Sequence, residues 1–550
     1  MKPTDESSAE DGSRAFSAGA KTPLVSHRSG VLRTWSRSTR VFFVCTALNL
    51  VPLFYFRFIP SNDGPSHVYN AAMLHAFWFS AGGSASRVFV WNWSLPPNLL
   101  THSALAVLMS VLSPVLAERV LVLCYAALLP IGFRYFLRSV ASRTYGLEYL
   151  SLVWVYNSHL HWGFYNFLFS LILFFFASGY WLRHRQDPSG SSMTMLAGIA
   201  TLLYCSHPVG LLEFWIVCGT IAGYERLTGN RSWAAGKLLV PAVAVTGALY
   251  LHYTMTRIHP AGELIDRPTV RYAGSLLFTF SPLASYSGVQ RVIAAATPIL
   301  LLGLTIAVVR RRRLLESIDA FGFAAVVTAA LVFIAPASIG GGTMLTARLV
   351  YVPIFLLCAW LVRREWRADF GNAAAVLGIV LAFAMILSNW PYYSRYDASM
   401  KQFAAGVDWP ADTNLLFRPA GPATLLLDRS GTPFLSSAAP GYLAAERGQV
   451  LVGDYQAGES YFPLRYRSNI PRKLYSSAAG SVCPGKELET EAKGVGSLVP
   501  LEAAVLVVQP QSPEIDHCFN FPPASRVKVS GVDFLYYRLP DAENALSLLR

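Results

Sequence analysis

The chain has 550 residues, 53% hydrophobic and only 14% charged, with a mean hydropathy of +0.39. Soluble domains carry roughly a quarter charged residues, so this composition excludes one and points to several apolar runs near the ~20 residues that cross a bilayer. The formal net charge is +13, but the basic residues gather at 33–40, 134–143, 183–185, 310–313 and 363–367, each at the end of an apolar run. The positive-inside rule produces that pattern, and nucleic acid is not an expected partner.

Residues 1–40 are rich in Ser, Ala and Gly, lack apolar periodicity and read as a disordered cytosolic tail. The apolar run at 41–59 has no small-x-small cleavage site after it and reads as a retained signal-anchor helix. A polar and aromatic loop, 60–98, follows. Within it 67–79 has a helical pattern, and Trp78, Trp91 and Trp93 favour the headgroup zone.

Further apolar runs lie at about 99–117, 118–138, 146–158, 163–182, 193–206, 209–224, 237–255, 290–309, 320–337, 344–362 and 373–389. They predict an all-α polytopic membrane protein of about 11–13 transmembrane helices, with a membrane domain over 41–390. Charge places the N-terminus inside, and Asp63 and everything after residue 389 outside. Full crossings at both 99–117 and 118–138 would put 134–143 outside. Either one of these runs is re-entrant or interfacial, or the charge rule fails there.

Residues 395–550 change character, with many Pro, Gly and Ser and short β-branched runs such as AVLVV at 504–508, RVKV at 526–529 and FLYY at 534–537. They predict a soluble α/β or β-rich domain on the extracytoplasmic side. Its two cysteines, Cys483 and Cys518, are candidates for a disulfide in an oxidising compartment. The other five lie in apolar segments, where a small buried hydrophobe is the expected role.

The chemistry-bearing stretch is RFIPSNDGPSHVYN at 57–70. A Gly-Pro corner pins the backbone where the chain leaves the bilayer, and Ser66 is placed to cap a following helix. Asp63 can serve as a general base towards an acceptor hydroxyl, as a metal ligand, or as the turn residue of that corner. His67 can bind phosphate, assist a metal or hold structure. His159 and His161 can face a site from an extended turn or belong to an aromatic-anchored loop, and no further metal ligand is adjacent in sequence.

His207 precedes Pro208 at a sharp turn and is a candidate site-lining residue, while Glu213 sits in an apolar run where it needs a partner. Arg348 follows a glycine-rich turn; it can meet a lipid phosphate through its planar fork or snorkel to the interface. Arg271 and its neighbours add cations on the same side. Walker A, GxSxG, HExxH and Rossmann patterns do not occur, so no nucleotide cofactor is expected.

The layout resembles the GT-C superfamily of polytopic glycosyltransferases, which use polyprenyl-phosphate-linked sugars. DGPSH at 63–67, GFYNFLFS at 163–170 and the His207-Pro208 break resemble uncharacterised bacterial members, and the resemblance covers roughly 40–390. It implies an inverting transfer from a polyprenyl-phosphate sugar to a glycan, lipid or protein acceptor, in a bacterial inner membrane. Asp63 matches the first-loop acidic residue, as base or as ligand of a divalent cation (Mg or Mn), and Arg348 fits the lipid phosphate. Many members carry two acidic residues in this loop; here Asn62 and Gly64 flank a single one. Competing readings are a transporter or flippase relaying protons through its buried His and Glu residues, and a non-catalytic protein of cell-envelope assembly.

Overall fold

The computed structural model describes residues 37–80, 83–229, 233–257, 267–310, 319–338, 344–407, 415–420, 439–468, 503–508, 525–529 and 532–538, together with 342, 409 and 523. Cys483, Cys518, Gly340 and Gly341 lie outside these residues.

Among the described residues seven helices are long and apolar enough to cross a membrane: Arg37–Tyr55, Pro114–Val140, Tyr165–His184, Ala234–Thr256, Gly288–Val309, Leu345–Val362 and Asp369–Gly406. The chain is an integral membrane protein. Three further helices, Gly190–Ser206, Pro208–Leu227 and Ala320–Ile334, pack among them.

The helix Leu100–Leu108 has nine residues. At 1.5 Å per residue it is about 14 Å long, half the hydrocarbon thickness, so it cannot cross. Its Thr101 amide donates to Asn166 Oδ1 at 3.0 Å, which keeps it at one end of the bundle. The 27-residue helix Pro114–Val140 makes the full pass instead. The parity conflict of the two adjacent apolar runs is thereby removed, because the first does not cross.

The run at 146–158 is no continuous helix either. A 3-10 turn at Leu147–Tyr149, a short helix Leu150–Val153 and another at Ser158–Trp162 follow one another. They climb alongside the first helix. Tyr149 meets Phe42 edge-on at 5.5 Å, Asn49 donates to Leu152 O at 3.0 Å, and Asn62 N donates to His161 O at 2.9 Å. Broken backbone is tolerated at membrane depth when side chains satisfy it inside protein. Asn157 does this, accepting from Leu160 N and donating to Tyr125 Oη and Trp154 O. The three shorter helices and this broken segment pack beside the seven long helices.

The two ends differ in chemistry. One holds the basic clusters, tied by the bidentate Arg185–Glu225 pair at 2.8 Å and by Arg364 and Trp360 on Asp319. Between the ends, Phe133, Trp154, Phe175 and Phe355 pack ring to ring with centroids 4.7–5.7 Å apart, a buried aromatic core.

The other end carries the helix Gly64–Phe79 and the C-terminal strands. Strand β1 (Phe89–Trp91) of the first loop pairs antiparallel with β4 (Leu464–Tyr466). The remaining strands, β2 (Leu415–Ala420), β3 (Leu451–Val452), β5 (Ala503–Val508), β6 (Ser525–Val529) and β7 (Val532–Arg538), form a five-stranded sheet in the order β3-β2-β5-β7-β6. β2 runs parallel to β3 and β5, and the β5–β7 and β6–β7 pairs are antiparallel.

Candidate active site

Asp63 ends the extended segment after the first membrane helix, at the residue that precedes helix Gly64–Phe79. Its side chain makes no capping bond, and Pro65 lies in the first helical turn. The capping role expected of Ser66 is not what the fold uses. The helix starts before it, so Ser66 is buried in the first turn and donates to Asp454 instead.

The broken pass holds the Asp63 turn from below, through Asn62 N on His161 O at 2.9 Å and Asp63 N on Trp162 O at 3.1 Å. Gly163 ends that pass with φ +84°, and a Cβ there would stand 2.7 Å from Gly64 N. Only glycine takes that backbone conformation at so close an approach.

Asn62 Nδ2 donates to Asp63 Oδ1 at 3.0 Å and the Tyr455 hydroxyl donates to the same carboxylate. Burial lifts Asp63 to about 6, opposed by Tyr455, by the Arg348 charge and by Asn62. A carboxylate with that value is ionised at neutral pH yet basic enough to accept a proton, as a general base requires.

Arg348 lies on the short helix Leu345–Leu349 and is 9% exposed. Its guanidinium stacks 4.4 Å over Phe164, one nitrogen lies 2.9 Å from His207 Nε2, and its Nε has no partner. No carboxylate lies within ion-pair distance of it among the described residues, although Asp63 is in electrostatic range. A buried cation short of countercharge is costly unless an anion completes it.

His207 caps helix Pro208–Leu227 through Nδ1, which accepts from Val209 N at 3.2 Å, and stands beside Arg348. His159 packs on the other side of Phe167, its Nδ1 2.9 Å from Tyr351 Oη and its Nε2 without a partner. The fold thus brings Asp63, Arg348, His207 and His159 to one end of the bundle, three of them around Phe167.

Two other expected residues stand elsewhere. His161 has both ring nitrogens occupied, by Ser285 Oγ at 2.5 Å and Tyr393 Oη at 3.0 Å, and serves the site through its carbonyl. Arg271 is exposed on helix Val270–Thr279, without a described bond to Asp63 or Arg348, because that helix turns its apolar face inward and its cation outward. Glu213 is buried and neither carboxylate oxygen has a partner.

His67 is buried one turn after Asp63. Its Nδ1 lies 2.9 Å from His102 Nε2 and accepts from Gln456 Nε2 at 3.1 Å, and its other nitrogen donates to Gly163 O. Gln456 Oε1 lies 3.2 Å from His102 Nε2, and His102 Nδ1 lies 3.0 Å from Asn98 O. Burial, with the neighbouring imidazole, drives His67 down, and burial takes His102 to about 4, so both rings are neutral.

A second carboxylate, which the first loop lacks, comes from the C-terminal region. Asp454 is 4% exposed, in electrostatic range of Asp63, with Oδ2 unpartnered; burial pushes it up to about 7 against the Ser66 hydroxyl, and Asp63 adds to the rise. Among the described residues no three His, Cys, Asp or Glu side chains converge as a metal-ligand set.

A membrane bundle with a long first loop, a broken pass and a C-terminal sheet region at one end is a fold seen in solved structures. Two crystal structures that share it are ArnT from Cupriavidus metallidurans in the apo state, with a TM-score of 0.53, and the same protein bound to undecaprenyl phosphate, with 0.50. Each is 12% identical and aligns over 91% of this chain and 98% of the other. No protein-family model and no curated protein sequence matches the chain significantly.

Proposed function

We propose that this protein is a membrane glycosyltransferase that moves a sugar from a polyprenyl-phosphate donor to a hydroxyl acceptor, with inversion. The observation that carries the reading is the pairing of Asp63, a carboxylate raised to about 6, with Arg348, a buried cation short of countercharge. They lie at one end of a fold whose relative has been crystallised with undecaprenyl phosphate.

In this mechanism the acceptor O–H gives its proton to Asp63 as its oxygen attacks the anomeric carbon. The bond from that carbon to the donor phosphate oxygen breaks, and its electron pair leaves with the phosphate. Arg348 meets the charge that builds there, from a fixed position that needs no reorganisation. A single displacement inverts the anomeric centre. No step is routed through a metal. The basic end of the bundle faces the cytosol by the positive-inside rule, which puts the site on the extracytoplasmic side.

The test is Asp63→Asn in purified protein, with polyprenyl-phosphate sugars followed by mass spectrometry and folding checked by melting. Wild-type turnover that falls at least a hundredfold in the folded variant supports the reading, general-base contributions being about 10²–10⁴-fold. Turnover that survives moves the proton to another group. A wild-type protein inert towards every donor favours transport or assembly instead.

A further inference from the structure

The segment Pro440–Tyr466 lies far along the chain from Asp63 and carries no motif, yet it is pinned to the Asp63 helix on two sides. On one side stands Glu118, 1% exposed near the start of Pro114–Val140. Its two oxygens accept from Tyr165 Oη and Tyr442 Oη, each at 2.6 Å. The Tyr165 hydroxyl also reaches Ser61 Oγ at 3.2 Å, and Ser61 Oγ accepts from Gly64 N at 2.9 Å. One buried carboxylate therefore joins the Asp63 turn, the start of helix Tyr165–His184 and the C-terminal segment. On the other side Tyr69 Oη accepts from Leu451 N at 2.6 Å, and β1 pairs with β4.

Between these pins sits Gln456, fully buried. Its amide spans His67 and His102 at 3.1 and 3.2 Å and reaches the Tyr455 hydroxyl at 3.4 Å, and that hydroxyl donates to Asp63. A neutral imidazole has two tautomers, and the partner of one nitrogen selects which is present. Gln456 faces one nitrogen of each ring, and His67 also bonds Gly163 O, so the pair is held in one arrangement between the helix and the broken pass. A buried amide is worth keeping only when its bonds are all made, and an aliphatic side chain would fill the same volume at lower desolvation cost.

We infer that Pro440–Tyr466 is a wall of the active site, with Tyr455 and Gln456 as positioning residues for Asp63 and His67. This rests on the transfer reading above. Tyr455 holds the Asp63 carboxylate towards the attacking oxygen, and Gln456 holds Tyr455 and the histidine pair as one unit. Geometry errors near 1 Å can cost about a hundredfold in rate, so loss of either donor acts on turnover before it acts on binding.

The test uses full-length protein in nanodiscs, with Tyr455→Phe, Gln456→Leu and the double variant compared with wild type and Asp63→Asn. The expected result is a fall in kcat of tenfold or more in each single variant, a donor KM within about twofold of wild type, an unchanged melting temperature, and a double variant no worse than the poorer single one. Single variants that turn over at the wild-type rate while Asp63→Asn is dead overturn this inference and leave the transfer reading standing. If the wild type turns over no donor, the transfer reading fails, and amide hydrogen exchange over 61–67 then decides. Faster exchange there in Gln456→Leu, with the bundle unchanged, supports the positioning role; unchanged exchange overturns it.

Discussion

Asp63 combines two properties that pull against each other: it is largely taken out of water, and three groups support its charge. Burial wins, raising it to about 6. Because the folded value lies above the ordinary 3.8, the folded state favours the protonated carboxyl, and the stability this confers is lost as pH rises through about 6. Two consequences follow for measurement. The kcat/KM profile should fall about tenfold per unit on the acid side of pH 6, because protonated Asp63 cannot take the acceptor's proton. Asp63→Asn, which removes the buried charge, should melt at the same temperature as wild type or higher at pH 8, even though it is inactive. A variant that melts well below wild type would show Asp63 to be a structural residue of the Gly-Pro corner. Asp454 was missed in sequence because nothing local marks it; a lone Asp after Gly453 in a loop has no pattern, and only folding brings it to Asp63.

At the scale of elements, the site is made by interruptions. The elements that build it are the broken pass ending at Gly163 and the short helix carrying His102, while the continuous helices supply walls and the aromatic core. Gly163→Ala tests this directly. A left-handed conformation costs a non-glycine residue roughly 1–2 kcal/mol, and a Cβ 2.7 Å from Gly64 N must push the Asp63 turn away. The expected outcome is a loss of that order in stability, read by melting, with a fall in kcat larger than the stability loss explains. Normal kcat in Gly163→Ala would mean that the turn tolerates displacement and that the backbone rails do not set Asp63. The apolar run at 163–182 predicts a helix, and the helix begins at Tyr165. That the run's first glycine abuts the Asp63 turn was not legible in the sequence, since the approach is between segments about a hundred residues apart.

For the whole molecule, the two ends of the bundle carry separate chemistry: arginine clusters at one, Asp63, Arg348 and the C-terminal segment at the other. The positive-inside rule then makes a topological prediction. In a cysteine-free background, a cysteine at Glu459 should react with a membrane-impermeant maleimide in intact cells, and one at Arg367 only after permeabilisation. The reverse labelling would place the site in the cytosol and remove the extracytoplasmic acceptor from the proposal.

The sequence by itself determined that the chain is a polytopic membrane protein, which ends of its apolar runs are basic, and that 57–70 bears the acidic turn. Those properties belong to composition and to residues adjacent in the chain, where hydropathy, charge and turn chemistry act locally. Only the tertiary structure decided which apolar runs cross, which histidines reach Arg348, and that His161 and Arg271 do not join them. It also decided that Glu118, Asp454, Tyr455 and Gln456 complete the surroundings of Asp63. The reason is physical: a buried charge or amide is tolerable only where packing supplies its partners, and those partners come from segments that meet only when the bundle closes.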